Sequence, residues 1–309
     1  MSSILQVEGG HPLRGEITVR GAKNFVPKAM VASLLADTPS ELYNVPLIRD
    51  TDVVSDLLSL HGVQIDFDQD RGTLRMDPSN VKIASRSDID TLAGASRIPI
   101  LFCGPLLHQL GEAFIPELGG CAIGGRPIDF HLETLRKFGA IVDKQPDGVH
   151  IKRPASGLHG AIIELPFPSV GATEQTLLTA VRNEGITTLK GAAIEPEILD
   201  LINVLQKMGA IISVDTDRTI RIEGVAKLSG YRHTALPDRI EAASWGAAAL
   251  ATHGDIYVRG AHQPDMTTFL NTFPKVGGAS EIDADGIRFY HTGEPPHSNA
   301  PEAAVHPGL

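Results

Sequence analysis

The sequence predicts an α/β protein built from copies of one β-α-β-α-β-β unit, and three observations carry that reading. A glycine closes a helix-period stretch at Gly62, Gly139, Gly209 and Gly277, at intervals of roughly 70 residues. Each is followed by strand-forming residues, as in "FGAIV" and "MGAII", which reads as a helix stop and a strand start. The same helices open alike, with "RDTDVV", "RPIDFH", "EPEILD" and "QPDMTT". Proline or an acidic residue in the first turn suits a helix start, through a fixed φ and a favourable dipole. Finally, a strand precedes each opening: "SELYNV", "EAFIPEL", "GITTLKG" and "GDIYVRG".

In chain order, the first unit runs from Leu13-Arg14-Gly15 through the turn "GAKN" (21–24) to the helix "PKAMVASLLA", then its strand, second helix and closing strands. The second has "RIPILFCGPLL" in the first-helix place. The third opens on Leu158-His159-Gly160 with the helix "TEQTLLTAV", and the fourth on Leu228-Ser229-Gly230 with "EAASWGAAALAT". Units this long exceed solenoid repeats, and each can form a small sheet with two helices. After the fourth, "GEPPHSNAPEAAVHPGL" reads as a frayed end or the beginning of a further unit.

With 309 residues, about two domains are expected. Composition is that of an ordinary globular protein, 42% hydrophobic and 21% charged. A net charge of −10 without a Lys/Arg run argues against a nucleic-acid partner. The start "MSSILQVEGG" lacks the basic and apolar regions of a signal peptide, and the apolar run "IPILFCGPLL" is too short for a membrane span. Two cysteines make no disulfide framework, so a reducing cytoplasm is expected. The twelve histidines offer no ligand spacing, and no metal is proposed. Cys121 stands out, between Gly119-Gly120 and Gly124-Gly125 and near Arg126. Exposure and a nearby cation are what a reactive thiol wants, whereas Cys103 in "ILFCGPLL" reads as a core residue.

Four motifs on this frame, "GAKN", "GGCAIGGRPIDFH" (119–131), "FPSVGATE" (167–174) and "PDRIEAASW" (237–245), resemble the UDP-N-acetylglucosamine enolpyruvyl transferase family. The resemblance runs from about residue 8 to residue 292. It implies inverse α/β barrel domains of three units each. Residues 21–227 would form a complete domain, 1–20 with 228–292 a partial second one, and 293–309 a disordered tail. It also implies transfer of the enolpyruvyl group of phosphoenolpyruvate to the 3-hydroxyl of UDP-N-acetylglucosamine by addition and elimination, with no cofactor.

By the same resemblance Cys121 is the proton donor and the target of fosfomycin, and Lys23, Arg97 and Arg126 hold phosphoenolpyruvate. Asn24 contacts the sugar, although its residue type also suits a helix N-cap. Pro127 and Asp129 line the uridine site, and Ser169, Val170 and Gly171 meet the diphosphate–uridine end. Asp238, Arg239 and Glu241 sense domain closure, or simply start a helix. Two departures stand out. Phe167 occupies a position where many relatives carry lysine, which puts nucleotide affinity in question. The family's "HPG" is followed by a Thr-Asp whose aspartate is the proposed base, whereas this sequence ends at Leu309. The chain is therefore expected to lack that base, two units and a late arginine, and to be inactive alone. A non-catalytic UDP-sugar-binding paralogue is the alternative from another class. The shikimate-3-phosphate enolpyruvyl transferase and the RNA 3′-phosphate cyclase are more distant ones.

Overall fold

The computed structural model describes residue 4 and residues 6–93, 96–116, 118 and 128–293. The expected tail from residue 294 onward lies outside them. The described residues divide into two compact units, one of Gly21–Leu236 and the other joining those up to Arg20 to the stretch 237–293.

Along the chain come β1 (Arg14–Thr18), α1 (Val26–Ala32), β2 (Ser40–Tyr43), α2 (Arg49–Leu60), β3 (Gln64–Asp68) and β4 (Thr73–Asp77). The second repeat holds α3 (Arg86–Ala93), a 3-10 turn Ile98–Phe102, α4 (Cys103–Gln109), β5 (Glu112–Ile115), α5 (Asp129–Lys137), β6 (Ile141–Gln145) and β7 (Gly148–Lys152). The third holds β8 (Ile162–Glu164), α6 (Val170–Ala180), β9 (Ile186–Lys190), α7 (Pro196–Lys207), β10 (Ile211–Val214) and β11 (Ile220–Glu223). Then follow β12 (Arg232–Thr234), α8 (Arg239–Ala251), β13 (Asp255–Arg259), α9 (Thr267–Thr272), β14 (Gly278–Ile282) and β15 (Gly286–His291). The four expected helix stops are real, since Gly62, Gly139, Gly209 and Gly277 all have φ between 84° and 106°.

Three sheets follow one rule. In the order β10-β11-β9-β8 the opening strand β8 runs parallel to β9, and β11 and β10 add antiparallel. The orders β12-β2-β4-β3 and β1-β13-β15-β14 repeat it. The fourth sheet, β5-β7-β6, has no parallel strand among the described residues. Opening strands are thus exchanged: β1 pairs with the strand of the fourth repeat, and β12 with that of the first. The larger compact unit accordingly runs to Leu236 and includes β12. Two of the three tripeptide glycines, Gly160 and Gly230, allow a close strand approach. A Cβ on Gly160 would lie 2.3 Å from Ile186 O, and one on Gly230 2.0 Å from Pro39 O.

In the larger unit the helices are inside and the sheets outside. All of α1 is buried, and α6 is buried from Ala172 to Ala180. Helix α1 is apolar apart from Lys28, whereas α6 also encloses Glu174 and Gln175, polar groups that need partners inside. The strands alternate, as in the exposed–buried–exposed pattern of β8. Among the described residues the three sheets of this unit are separate and do not close hydrogen-bonded into one barrel. The smaller unit has a core around Ala242, Val258, Phe273, Ile287 and Phe289, with Phe269, Phe273 and Phe289 ring to ring. No described helix is long and apolar enough to cross a membrane.

Candidate active site

Those expected site residues of the larger unit that are described stand where its helices begin. Gly21 anchors the first of these turns. Its N–H donates to Asn44 O at 3.1 Å, and a Cβ there would lie 2.1 Å from that oxygen. Asn44 is held left-handed at φ 60°, with Nδ2 donating to Ala235 O at 3.0 Å. Lys23 and Asn24 then lie exposed in the turn before α1. Asn24 is not the cap of that helix; Phe25 takes the N-cap place, with no side-chain hydrogen bond.

Lys23 Nζ lies 3.6 Å from Asp50 Oδ2 in the first turn of α2. The other oxygen of Asp50 accepts from the buried Ser96 Oγ at 3.1 Å. Ser96 Oγ in turn accepts from Ile98 N at 3.3 Å, which fixes the backbone on either side of Arg97. One carboxylate therefore ties two cation-bearing segments together, and the Lys23 side chain stays 58% exposed.

Arg97 also acts on His131 in the first turn of α5. Burial holds the His131 imidazole down at about 4, and the Arg97 charge pushes the same way, against a contact with Gln175. Nδ1 of His131 and Oε1 of Gln175 are both buried without a partner at hydrogen-bond geometry. Nε2 of His131 faces Gly171, where an added Cβ would sit 2.9 Å from it. Gly171 is thus required for α6 to lie against His131.

Ser169 caps α6, its Oγ accepting from Ala172 N at 3.3 Å, and Val170 is the first helical residue. Asp129 opens α5, exposed, 3.6 Å from Lys144 Nζ. Arg97 and Gly171 are both brought to His131, and Lys23 and Ser96 to Asp50; Cys121, Arg126 and Pro127 lie outside the described residues. Cys103 is fully buried, and burial pushes its thiol pKa up, so it is a core residue. In the smaller unit Asp238 is the N-cap of α8, accepting from Ile240 N at 2.9 Å and Glu241 N at 3.1 Å. Arg239 is buried, and Glu241 Oε1 accepts from Trp245 Nε1 at 3.4 Å.

Sequence reasoning missed Asp50, Ser96 and His131, and a buried group behind them. Lys28 Nζ lies 3.6 Å from Glu174 Oε1, both buried, with Glu195 and Glu197 close enough to act on Glu174. Asp50 was legible only as an acid in a helix first turn, and His131 only as one of twelve histidines.

Comparison with known proteins agrees with this frame. The chain is 42% identical to the UDP-N-acetylglucosamine 1-carboxyvinyltransferase of Protochlamydia amoebophila, over 99% of this chain and 66% of that protein. It is 37% identical to UDP-N-acetylglucosamine 1-carboxyvinyltransferase 1 of Staphylococcus aureus, over 93% and 68%. The chain therefore spans about two-thirds of the length of these curated relatives. Among solved structures it resembles the enolpyruvyl transferase NikO of Streptomyces tendae, with a TM-score of 0.82 at 22% identity, covering 93% of this chain and 68% of that one. EPSP synthase of Acinetobacter baumannii follows at 0.68 and 17%, over 92% and 65%. These two likenesses bear on the fold, and the enolpyruvyl transferase fold is the one they share. A family model matches residues 7–297, nearly the whole chain, and by that match this protein belongs to the EPSP synthase (3-phosphoshikimate 1-carboxyvinyltransferase) family.

Proposed function

We propose that the chain binds phosphoenolpyruvate and UDP-N-acetylglucosamine and carries the proton-donor side of an enolpyruvyl transfer in peptidoglycan synthesis. The observation that carries this is the tie Lys23–Asp50–Ser96 beside Arg97, which holds two cations at the turns where helices begin. The 37–42% identity to UDP-N-acetylglucosamine 1-carboxyvinyltransferases, against 17% to an EPSP synthase, favours the nucleotide sugar over shikimate 3-phosphate.

In the addition step the sugar 3-oxygen bonds to C2 of phosphoenolpyruvate, a base takes the hydroxyl proton, and Cys121 delivers a proton to C3. In the elimination step the bond from C2 to the phosphate oxygen breaks and C3 loses a proton, leaving the enolpyruvyl ether and phosphate. Lys23, Arg97 and Arg126 hold the phosphate and carboxylate of phosphoenolpyruvate through both steps. Asn24 meets the sugar, while Pro127, Asp129, Ser169, Val170 and Gly171 meet the uridine diphosphate. Asp238, Arg239 and Glu241 respond to closure over the substrates. The compartment we assign is the cytoplasm, which keeps such a thiol reduced.

Two measurements test this. Fosfomycin should label Cys121 and leave Cys103 free on peptide mapping, with UDP-N-acetylglucosamine speeding the reaction. Label on Cys103 in folded protein would remove the assignment of the thiol. Phosphate release from phosphoenolpyruvate, measured on a chimera carrying the remaining third of a close relative, should depend on UDP-N-acetylglucosamine and not on shikimate 3-phosphate. Tight nucleotide-sugar binding with neither labelling nor phosphate release would put the non-catalytic binding reading ahead.

A further inference from the structure

Phe167 is the one aromatic side chain among the exposed large hydrophobic residues of the described structure, with 55% of its surface open. An isolated exposed apolar residue needs no explanation, but this ring is not isolated. It meets Phe130 edge to face, centroids 5.3 Å apart and planes at 71°. Phe130 is half-buried in the first turn of α5, next to Asp129, and Phe167 stands two residues before the N-cap Ser169 of α6. A 220 Å³ cavity opens beside Phe130 against Leu165 and Pro166, so the Phe130 ring is not packed on all sides.

The backbone holds Phe167 ready. Pro166 and Pro168 flank it, and proline fixes its own φ and restricts the residue before it to extended backbone. Ser169 N also donates to Phe167 O at 2.7 Å. A ring presented this way loses little freedom when something stacks on it. What is presented is a π-face, without charge, where two helix starts already favour an anion.

We propose that Phe167, backed by Phe130, is a stacking platform for the planar base of a nucleotide whose phosphates lie toward the starts of α5 and α6. This deepens the reading of the site as a UDP-N-acetylglucosamine site and rests on it. Phe167 becomes a specificity-determining residue: affinity on this side of the site comes from the base face and not from a cation on the diphosphate.

The test is calorimetric titration of the full chain with UDP-N-acetylglucosamine, UDP and N-acetylglucosamine 1-phosphate, for wild type, Phe167→Ala and Phe167→Trp. The alanine variant should bind UDP and UDP-N-acetylglucosamine roughly 10-fold more weakly, the size expected when one base loses its aromatic partner. N-acetylglucosamine 1-phosphate should be unaffected, and tryptophan should restore the affinity. Thermal melting should be unchanged, because the ring is exposed. Equal UDP-N-acetylglucosamine affinity in wild type and Phe167→Ala would overturn the platform and leave the proposed function standing. UDP binding that weakens in Phe167→Ala, while the sugar adds nothing to affinity, would keep the platform and overturn the sugar assignment. Absence of any nucleotide binding to the wild type would overturn both.

Discussion

Glu174 lies buried 3.6 Å from Lys28, and burial raises its carboxyl from 4.5 to about 7, Lys28 opposing the shift and Glu195 and Glu197 adding to it. A carboxyl raised on folding stabilises the fold fully below its unfolded value and loses that contribution as pH rises through about 7. His131 and His108 go the other way. Burial lowers each from 6.5 to about 4, so their contributions are full above 6.5 and lost as pH falls through 4. Between pH 5 and 6.5 the histidines thus raise stability with pH while Glu174 lowers it. Glu174→Gln should steepen the rise by about 1 kcal/mol per pH unit. It should also remove the Glu174-linked decline toward pH 7. Urea unfolding at pH 5, 6 and 7 checks this, and identical slopes in both proteins would sink the raised carboxyl. Little of this was readable beforehand. "GATEQT" reads as a helix start and not as a buried ion pair, because the lysine partner comes from a helix about 150 residues earlier. Lys23 and Arg97, by contrast, stood in legible turns, although the carboxylate joining them did not.

Helices α6 and α8 begin in the same way, on Ser169 and Asp238, whose side chains accept backbone N–H groups of the first turn. Asp238→Ala should destabilise the unit holding α8 by about 1 kcal/mol, and Asp238→Asn by much less, in urea titrations that follow Trp245 fluorescence. A loss in Asp238→Asn as large as in the alanine variant would mean that the carboxylate acts through its charge and not as a cap. Helix ends were the most legible elements, because glycine stops and proline–acid starts are local chemistry. Strand partners were not. β12, "RHT", carries no strand signal of its own; its parallel neighbour β2 lies about 190 residues upstream, and only tertiary contact decides that it pairs there. The shared Leu-x-Gly openings were the one hint. Gly230→Ala should break that docking, because its Cβ would fall 2.0 Å from Pro39 O. A destabilisation of about 3 kcal/mol or more is expected, as for overpacking against backbone that cannot move. Wild-type stability in this variant would show that β12 docks only loosely.

At the scale of the molecule, the two units bury their helices very differently. In Gly21–Leu236 all seven residues of α1 are buried, and nine of the eleven in α6. In the other unit α8 buries only Arg239, Ala242, Gly246 and Ala249 of its thirteen residues, and α9 buries none of its six. Each is covered on one side only, with Ile240, Ser244, Ala247 and Ala251 of α8 and Thr267, Thr268 and Asn271 of α9 exposed. Local opening is governed by such missing apolar contacts. Limited proteolysis should therefore cut first between residues 237 and 293 and leave a resistant fragment from near residue 21 to near residue 236. The relatives are about half again as long as the aligned stretch, so a chimera carrying the remaining third of a close relative provides the second arm. If that segment supplies the cover for α8 and α9, the chimera should resist cleavage at 237–293 at protease levels that cut the 309-residue chain. Its tryptophan emission should also shift to the blue as Trp245 leaves water. Equal resistance of both regions in the shorter chain would mean that one sheet and the Phe269–Phe273–Phe289 cluster suffice to hold the smaller unit.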